Sequence, residues 1–387
     1  MEFDFSEEQR AIQALAREVA EAEIAPHAGE WAREHRVPQE LFGKLAALGL
    51  MGVCVPEELG GAGADFLSYI LVLEELSHAD AGVGVTVAVH TSAATLPILR
   101  FGTEEQRATF VPPLARGERI GAFALTEAGA GSDPASLRTR AEPEGDCWRI
   151  TGTKQWTTNG SFADTVLLFA RTDAGISSFV LDGGAPGLEV TREPEKLGLA
   201  SSSTPDLVLE GVRVGRDRLL GTEGKGLSIA LATLDGGRIG IAAQAVGIAQ
   251  AAYDVARAYA LEREQFGKRI AEFQAIQWKL ADMATEIDAA RLLTYRAAWL
   301  RDRGEPHAEA GAKAKLFASG VARRQTGEAL QILGGYGFTT EFPVERYYRD
   351  AKVTEIYEGT SEIQRLVIAR SILGLGREPD AAQARQS

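Results

Sequence analysis

Apolar positions in the first part of the chain recur every three or four residues, which is the spacing of an amphipathic helix. Ser6 and Gln9 form a predicted capping box, and Ile12 and Val19 then lie on one face of the helix that follows. The same spacing continues until the first strand-like run. We therefore expect residues 1–118 to form a helical domain.

The pattern then shortens to apolar runs of strand length, each bounded by turn residues. These runs cover residues 122–125, 148–151, 165–170, 178–181 and 207–212. Their length and their turns predict an antiparallel sheet or a small barrel. We assign this middle domain to residues 119–226.

Long alanine-rich stretches with helical spacing return after Gly226. They predict a helical bundle domain over residues 227–387, with helices at 227–264, 273–303, 308–333 and from Ser361 onward. Ser361 and Gln364 suggest a capping box for the last helix. The order is thus helices, strands, helices, an α+β fold without the βαβ alternation of a doubly wound nucleotide-binding domain.

Composition and charge narrow the class of protein. The chain has 387 residues, of which 45% are hydrophobic and 25% charged, as in a globular protein of two or three domains. A formal net charge of −13 argues against nucleic acid or an anionic membrane as a partner. The two cysteines and five histidines show no metal-ligand spacing, so we expect no metal and a reducing compartment. The first residues lack a secretory or transit pattern, and we expect a soluble cytoplasmic protein.

A candidate catalytic base lies near the C-terminus, in the run IYEGTSE at residues 356–362. Glu358 stands between Tyr357 and Gly359, directly before the predicted last helix, and the glycine allows a substrate to approach the backbone closely. The alternative is a solvated loop that merely leads into a helix.

Two further segments have the composition of a binding site. Residues 124–133, ALTEAGAGSD, run from a strand into a loop of small residues whose N–H groups, with the Ser132 hydroxyl, suit an anion. Thr126 can donate to a heteroaromatic ring beside the strand. The alternative is a tight turn. In the run WTTN at residues 156–159, Trp156 is more often a core residue than a cofactor contact.

Three motifs in this order resemble the acyl-CoA dehydrogenase family, and the resemblance covers nearly the whole chain. The first is LTEAGAGSD at residues 125–133, and the second is QILGGYGF at 331–338, which continues to Glu341, Arg346 and Asp350. The third is YEGT at 357–360. Ala128 and Thr157 depart from residues common in the family, but neither removes a cofactor contact.

The resemblance implies an FAD cofactor held between the middle and C-terminal domains. Its flavin would stack near Trp156 and bond to Thr126 and Thr158, and the adenine half would cross to a neighbouring subunit, which makes a homotetramer part of the site. The residues implied in FAD binding are Phe123, Leu125, Thr126, Ser132, Trp156, Thr158, Arg263, Phe266, Gln274, Gln331, Gly334, Gly335, Thr360 and Glu362. The purely structural alternative for Arg263 is a helix-terminal cation with Gly267 as C-cap. The purely structural alternative for residues 331–335 is a helix end.

The resemblance also implies the reaction, which is removal of an α-proton from an acyl-CoA thioester by Glu358 and hydride transfer to the flavin. The thioester oxygen would accept hydrogen bonds from the N–H of the base and from an FAD hydroxyl. The electron acceptor would be an electron-transfer flavoprotein. The implied substrate-binding residues are Ser132, Asp235, Arg238, Tyr357 and Gly359.

Some family members carry the base on an earlier helix, at the position that Gly237 occupies here, which supports Glu358 as the base. Two glycines at 236–237 inside a helix suggest a local opening with a functional reason. Asp235 and Arg238 have the alternative of a plain intrahelical ion pair. An oxygen-using oxidase-like relative and a catalytically silent scaffold are the competing functions, and the acyl chain is left open.

Overall fold

The structure is a computed structural model that describes residues 4–375. Its elements follow the predicted order of helices, strands and helices. The first group consists of α1 (Glu7–Val19), α2 (Ala28–Glu34), α3 (Gln39–Ala47), α4 (Phe66–Ala79), α5 (Ala81–Ala88), α6 (Leu96–Phe101) and α7 (Glu104–Ala115). A π-helical segment, Val89–Thr95, joins α5 to α6.

The predicted capping box at the start of α1 is confirmed. The Ser6 hydroxyl accepts from the Gln9 N–H at 3.1 Å, and the Gln9 side chain accepts from the Ser6 N–H at 2.9 Å. Each bond satisfies a backbone donor that a helix start leaves without an intrahelical partner.

The middle of the chain forms a sheet that contains all five predicted runs, apart from Leu125, which follows the first strand. Its strands are β1 (Gly121–Ala124), β2 (Arg140–Glu144), β3 (Cys147–Lys154), β4 (Thr165–Thr172), β5 (Gly175–Asp182), β6 (Leu188–Arg192), β7 (Asp206–Gly215) and β8 (Leu219–Leu220). Strands β2 and β6 were missed because most of their side chains are exposed and polar, which leaves no apolar run.

The prediction of an antiparallel sheet is wrong in part. The strand order is β6-β7-β3-β2-β4-β5-β8, and β1 pairs with β4. Both β1 and β2 run parallel to β4, while the other neighbours are antiparallel. Parallel pairing needs a long crossover, which the β2–β3 hairpin provides between β1 and β4.

The remaining elements form the C-terminal bundle. They are α8 (Gly226–Glu262), the short hairpin β9 (Glu264–Gln265) and β10 (Lys268–Arg269), then α9 (Gln274–Asp302), α10 (Ala308–Leu333), α11 (Val344–Ala351) and α12 (Ser361–Ile372). Helix α11 was missed because its sequence, VERYYRDA, is mostly polar.

The predicted opening at Gly236 and Gly237 is wrong, since α8 runs through both glycines without a break. The glycines permit close contact instead. A Cβ built on Gly236 would lie 2.2 Å from Nη1 of Arg301. Gly267 is also not a helix cap, because α8 ends at Glu262 and Gly267 lies with Phe266 in the turn of the β9–β10 hairpin, both at positive φ.

Two helical stretches are long and apolar enough to span a membrane by length and composition, Ala81–Phe101 and Gly226–Glu262. Within the folded chain, 89% and 78% of their apolar windows are buried. Their apolar surface is therefore covered by protein, as in the core helices of a folded domain.

One buried polar cluster joins the three parts of the chain. Asp80 caps α5, accepts a hydrogen bond from Ser201 at 2.8 Å and lies 3.6 Å from the Arg346 guanidinium. Asp350 accepts from the Leu199 N–H at 2.6 Å. The domain boundaries 1–118, 119–226 and 227–387 stay a prediction, and their ends at residues 1–3 and 376–387 lie outside the described residues.

Candidate functional site

A cleft lies where the end of β1 and the turn after β3 face α8 and the loop before α12. Ten of the predicted site residues line it: Phe123, Leu125, Thr126, Ser132, Trp156, Thr158, Arg238, Tyr357, Glu358 and Gly359. Its apolar lining from α5, the π-helical segment, α8 and α12 was not predicted from the sequence and consists of Val85, Val89, Leu231, Leu234 and Ile363. Such residues look like any other apolar helical positions, so no local signal marks them.

Glu358 occupies a turn with an unusual backbone. Its φ is +53° and that of Gly359 is +92°. The left-handed region costs a residue with a Cβ about 1–2 kcal/mol, so surrounding contacts must hold this turn. The Gln364 side chain supplies two of them by donating to the carbonyl of Glu358 at 3.2 Å and to that of Gly359 at 2.7 Å.

The predicted capping box of Ser361 and Gln364 is wrong. Thr360 is the N-cap of α12, and its hydroxyl accepts from the Ile363 N–H at 3.3 Å. Either hydroxyl suits a cap by sequence. The choice falls on Thr360 because the Gln364 amide is used on the carbonyls of the preceding turn.

The Glu358 carboxyl lies in an environment that disfavours its charge. Burial raises its pKa to about 7, and the Lys315 and Arg238 cations oppose that rise. Within residues 4–375 no protein donor bonds to this carboxylate. A carboxylate without donors and with a pKa near neutrality is suited to accept a proton from a bound molecule.

Gly237 leaves the space that the Glu358 carboxylate occupies. A Cβ at Gly237 would lie 2.4 Å from Oε2 of Glu358 and 3.1 Å from its Cδ. The carboxylate can therefore occupy its observed position only because residue 237 on α8 has no side chain.

Tyr357 is fixed on the side of the carboxylate toward the N-terminal helices. Its hydroxyl donates to the side-chain oxygen of Gln244 on α8, and the Gln244 amide donates to the Ala81 carbonyl at 2.7 Å. This chain of bonds holds the aromatic wall of the cleft against two domains.

Asp235 and Arg238 form an ion pair on α8, with Oδ1 and Nη1 2.6 Å apart. Arg238 is buried, and its Nε has no partner among the described residues. Burial raises the pKa of Asp235, an effect that Arg238 opposes. The two residues thus form the intrahelical ion pair of the structural alternative, but the Arg238 cation also lines the cleft beside Glu358.

The opposite wall of the cleft carries Thr126, Thr158 and Trp156. The indole is 60% exposed in the single chain, so the interpretation of Trp156 as a core residue is wrong. Its φ of +56° is unusual for a residue with a side chain, and such strain often occurs at functional sites. Among residues 4–375 neither threonine hydroxyl has a protein hydrogen-bond partner. A ring with acceptors along its edge fits this wall, so the residues suit a flavin.

A buried ion pair that the sequence analysis did not identify supports the loop after β1. Lys154 Nζ donates to the Leu125 carbonyl at 3.1 Å and to Glu127 at 2.7 Å. Glu127 in turn accepts from the N–H groups of Arg138 and Thr139 at 2.6 and 3.0 Å. The ends of the glycine-containing loop are thereby fixed, while Ser132 at its tip stays exposed.

A second set of predicted residues lies far from this cleft. Arg263 comes 25 residues after Arg238 at the end of α8, a helical rise of about 37 Å. The set is exposed in the single chain and consists of Arg263, Phe266, Gln274, Gln331, Gly334 and Gly335. Gln331 and Gly334 do mark a helix end, since α10 ends at Leu333 with Gly334 at φ +60°.

Thr360 and Glu362 line a separate groove between α10 and α12, together with the cations Lys352, Arg323 and Arg365. Thr360 also acts as the helix cap described above, whereas the Glu362 side chain is exposed.

Comparison with known proteins matches three family models to successive parts of the chain. They describe the acyl-CoA dehydrogenase N-terminal domain at residues 6–118, the middle domain at 122–212 and the C-terminal domain at 224–373. The chain belongs to the acyl-CoA dehydrogenase family. It is 47% identical over 377 residues to the short-chain specific acyl-CoA dehydrogenase of Clostridium acetobutylicum, covering 96% of this chain and 100% of that protein.

Solved structures of the family agree with the fold. Butyryl-CoA dehydrogenase from Megasphaera elsdenii is 44% identical, with a TM-score of 0.95 over 96% of this chain and 100% of that one. A chain in a structure described as the electron transferring flavoprotein of Acidaminococcus fermentans is 47% identical, with a TM-score of 0.95 and the same coverage.

The family also decides the cofactor and the class of reaction. Acyl-CoA dehydrogenases are FAD-dependent oxidoreductases, and a related glutaryl-CoA dehydrogenase from Mycobacterium smegmatis, 34% identical with a TM-score of 0.92 over 96% of this chain and 95% of that one, is known in complex with FADH2. The chain is thus an FAD-dependent enzyme that dehydrogenates acyl-CoA, as the resemblance implied.

Proposed function

We propose that this enzyme converts a short, straight-chain acyl-CoA to the trans-2-enoyl-CoA, with Glu358 as the base. The observation that carries the proposal is the Glu358 carboxylate, which lines a partly apolar cleft, has no protein donor within residues 4–375 and has a pKa raised to about 7. The α-proton of a thioester is only weakly acidic, so its removal needs a base of raised pKa held beside it.

In the proposed mechanism, the Glu358 carboxylate takes the α-proton while the thioester carbonyl is polarised. Among the described residues no acceptor is found for the Glu358 N–H, so this donor is free to bond the thioester oxygen and stabilise its developing charge. Tyr357, held by Gln244, closes the cleft against water. Bound FAD supplies the acceptor for the β-hydrogen and its electron pair.

The short chain is proposed from a close helix contact beyond the cleft and from the relatives. Val85 and Val89 line it from the N-terminal helices, and Leu234 lines it from α8. One turn beyond Gly237, α8 contacts α4 closely, because a Cβ on Gly240 would lie 3.2 Å from the Leu73 side chain. This contact is proposed as the end of the acyl pocket, and the matched relatives are named for short-chain or butyryl substrates.

An anaerobic bleaching series tests the substrate. Butyryl-CoA is expected to reduce the flavin fastest, and octanoyl-CoA at least about tenfold more slowly, because the extra methylenes meet the α4–α8 contact. Branched and aromatic thioesters serve as comparison. Faster bleaching by octanoyl-CoA would show that the cleft is deeper than proposed.

The rate of flavin reduction is expected to rise as the pH passes through about 7. Only the ionised carboxylate accepts a proton, and the pKa of Glu358 is raised to about 7, so the base is mostly protonated below that pH. Stopped-flow bleaching between pH 5.5 and 9 measures this rise in rate, which is the acid limb of the pH profile. A rate that stays constant down to pH 5.5, as for an ordinary glutamate pKa of about 4.3, would contradict the assigned environment.

The residues at the end of α8 are proposed to bind the adenine half of FAD in a neighbouring subunit of a homotetramer. About 37 Å of helix separates Arg263 from the cleft of its own chain, so the set is too remote to complete that site. Exposed aromatic rings at this corner, with Phe266 at 93% and Phe338 at 89%, suit an interface. Thr360 and Glu362 are proposed as further FAD contacts, and Ser132 and Asp235 as contacts to FAD or CoA.

Arg263→Ala is expected to lower FAD retention severalfold, because it removes a cation suited to a phosphate. The flavin-to-protein absorbance ratio after gel filtration measures the retention. Arg269→Ala, on the short hairpin that follows Arg263, is the control and is expected to retain FAD. Normal flavin content in both variants would contradict the shared site.

An electron-transfer flavoprotein is the proposed electron acceptor, supported by the likeness to a chain from a structure of such a protein. Slow reoxidation of the reduced enzyme in air and fast reoxidation by an electron-transfer flavoprotein are expected. Fast reoxidation in air would favour the oxidase-like alternative. A cytoplasmic location is part of the proposal and is tested by cell fractionation.

A further inference from the structure

Lys315 is a buried lysine that the proposed mechanism does not use. It lies on α10, and its side chain is fully buried. Its Nζ donates to the Gly359 carbonyl at 2.5 Å. A buried ammonium is costly unless it is paired, so this position needs a compensating interaction.

The contact of Lys315 falls on the strained turn that carries the base. Gly359 follows Glu358, and both residues are held at positive φ. The Gly359 carbonyl accepts from two side chains, the charged Lys315 and the neutral Gln364. The two donors make the same kind of bond to the same atom, but only one of them brings a charge.

Charged and titratable groups face the pair from each element around it. The charges of Lys315 on α10 and Arg238 on α8 act on the pKa of Glu358. The Glu358 carboxylate in turn acts on the pKa values of Tyr69 on α4 and of the adjacent Tyr357. The pKa of Lys315 depends on the charges of Glu358, Arg238, Glu355 and Glu362. Burial lowers the pKa of Lys315 to about 7, and Glu358 opposes that change, so the two groups interact as a coupled pair.

We propose that Lys315 is a positioning residue for proton abstraction, which holds the Gly359 carbonyl and, by its charge, favours the ionised form of Glu358. This inference rests on the proposed role of Glu358 as the base. In geometry, the lysine fixes the turn by its bond to the Gly359 carbonyl. In electrostatics, it opposes the desolvation that would otherwise keep the base protonated at neutral pH.

The test compares Lys315→Met with Gln364→Leu. Both variants remove one donor to the Gly359 carbonyl, but only the first removes a positive charge. Lys315→Met is expected to move the acid limb of flavin bleaching upward by about one pH unit or more, which is about a tenfold loss of rate below pH 7. Gln364→Leu is expected to slow bleaching at every pH and leave the limb in place. Lys315→Arg is expected to bring the limb back toward that of the wild type.

A second measurement does not depend on turnover. Infrared difference spectra of the resting FAD-loaded enzyme across pH follow the carboxylic-acid band of Glu358, assigned by its loss in Glu358→Gln. The band is expected to persist to higher pH in Lys315→Met. If that variant does not fold, Lys315→Gln replaces it, since it keeps a donor but carries no charge and must show the same shift.

An unmoved acid limb and an unmoved infrared band in a folded, flavin-loaded neutral variant would overturn the proposal. Failure of the proposed function looks different. In that case the wild-type enzyme is not bleached by any acyl-CoA, while the infrared titration still reports whether Lys315 acts on Glu358.

Discussion

Glu358→Gln is expected to leave FAD bound and to slow flavin bleaching by butyryl-CoA by about 10²–10⁴-fold. The amide has nearly the same shape as the carboxylate, so it fits beside Gly237 and the turn stays in place. It cannot accept the α-proton, and the thioester stays bound without reaction. Anaerobic stopped-flow absorbance of the flavin measures the rate, and the absorbance ratio of the purified enzyme measures the cofactor.

The control for this variant is Glu345→Gln, which removes a carboxylate on α11 outside the cleft. Glu345 accepts two hydrogen bonds from Arg349 four residues later, and it does not line the cleft. Bleaching is expected at the wild-type rate. If Glu358→Gln bleached as fast as this control, another group would have to be the base.

The position of Glu358 could be predicted from sequence because the signals for it are local. A glycine after the acid and a hydroxyl residue before an apolar helical run place the carboxylate at a helix start whatever the rest of the fold does. The one-residue error at the cap arose because Thr360 and Ser361 are adjacent and equally able to cap. Local rules do not distinguish them.

The contacts that support the site join residues far apart in the chain, and one sequence does not reveal them. Lys315 reaches Gly359 across 44 positions, and Gln244 reaches Tyr357 across 113. The parallel pairing of β1 with β4 is of the same kind, because it is decided by how the chain crosses over and not by the strand sequences. Contacts between residues close in the sequence can thus be predicted from local patterns, whereas contacts across long stretches of chain cannot.

Gly237 shows how one position combines both kinds of information. Its identity in the sequence supports Glu358 as the base, since glycine cannot take a proton. The structure adds a steric role, because a Cβ there would lie 2.4 Å from the Glu358 carboxylate. The same glycine therefore excludes one base and makes room for the other.

Gly237→Ala is expected to slow flavin bleaching by butyryl-CoA about 100-fold while the protein stays folded. The added methyl group meets the far end of the Glu358 side chain, which can rotate away, so the fold tolerates the change. A displacement of about 1 Å at the base is enough to cost about 10²-fold in rate. Alanine also favours the helix over glycine by about 1 kcal/mol, so the thermal midpoint should not fall. Bleaching rate, flavin content and thermal unfolding are measured on the same preparation.

Gly240→Ala is the matched control, since it adds the same methyl group to the same helix about one turn later. Its Cβ would lie 3.2 Å from the Leu73 side chain, away from the carboxylate, so a small adjustment suffices. Since only chains longer than butyryl are proposed to reach this contact, bleaching by butyryl-CoA should change little. A large loss of bleaching rate in Gly237→Ala with near-normal bleaching in Gly240→Ala would show that the Glu358 carboxylate acts from its position against α8. Equal rates in both variants would mean that Glu358 acts from a different position when substrate is bound, and that the free space at Gly237 has no part in catalysis.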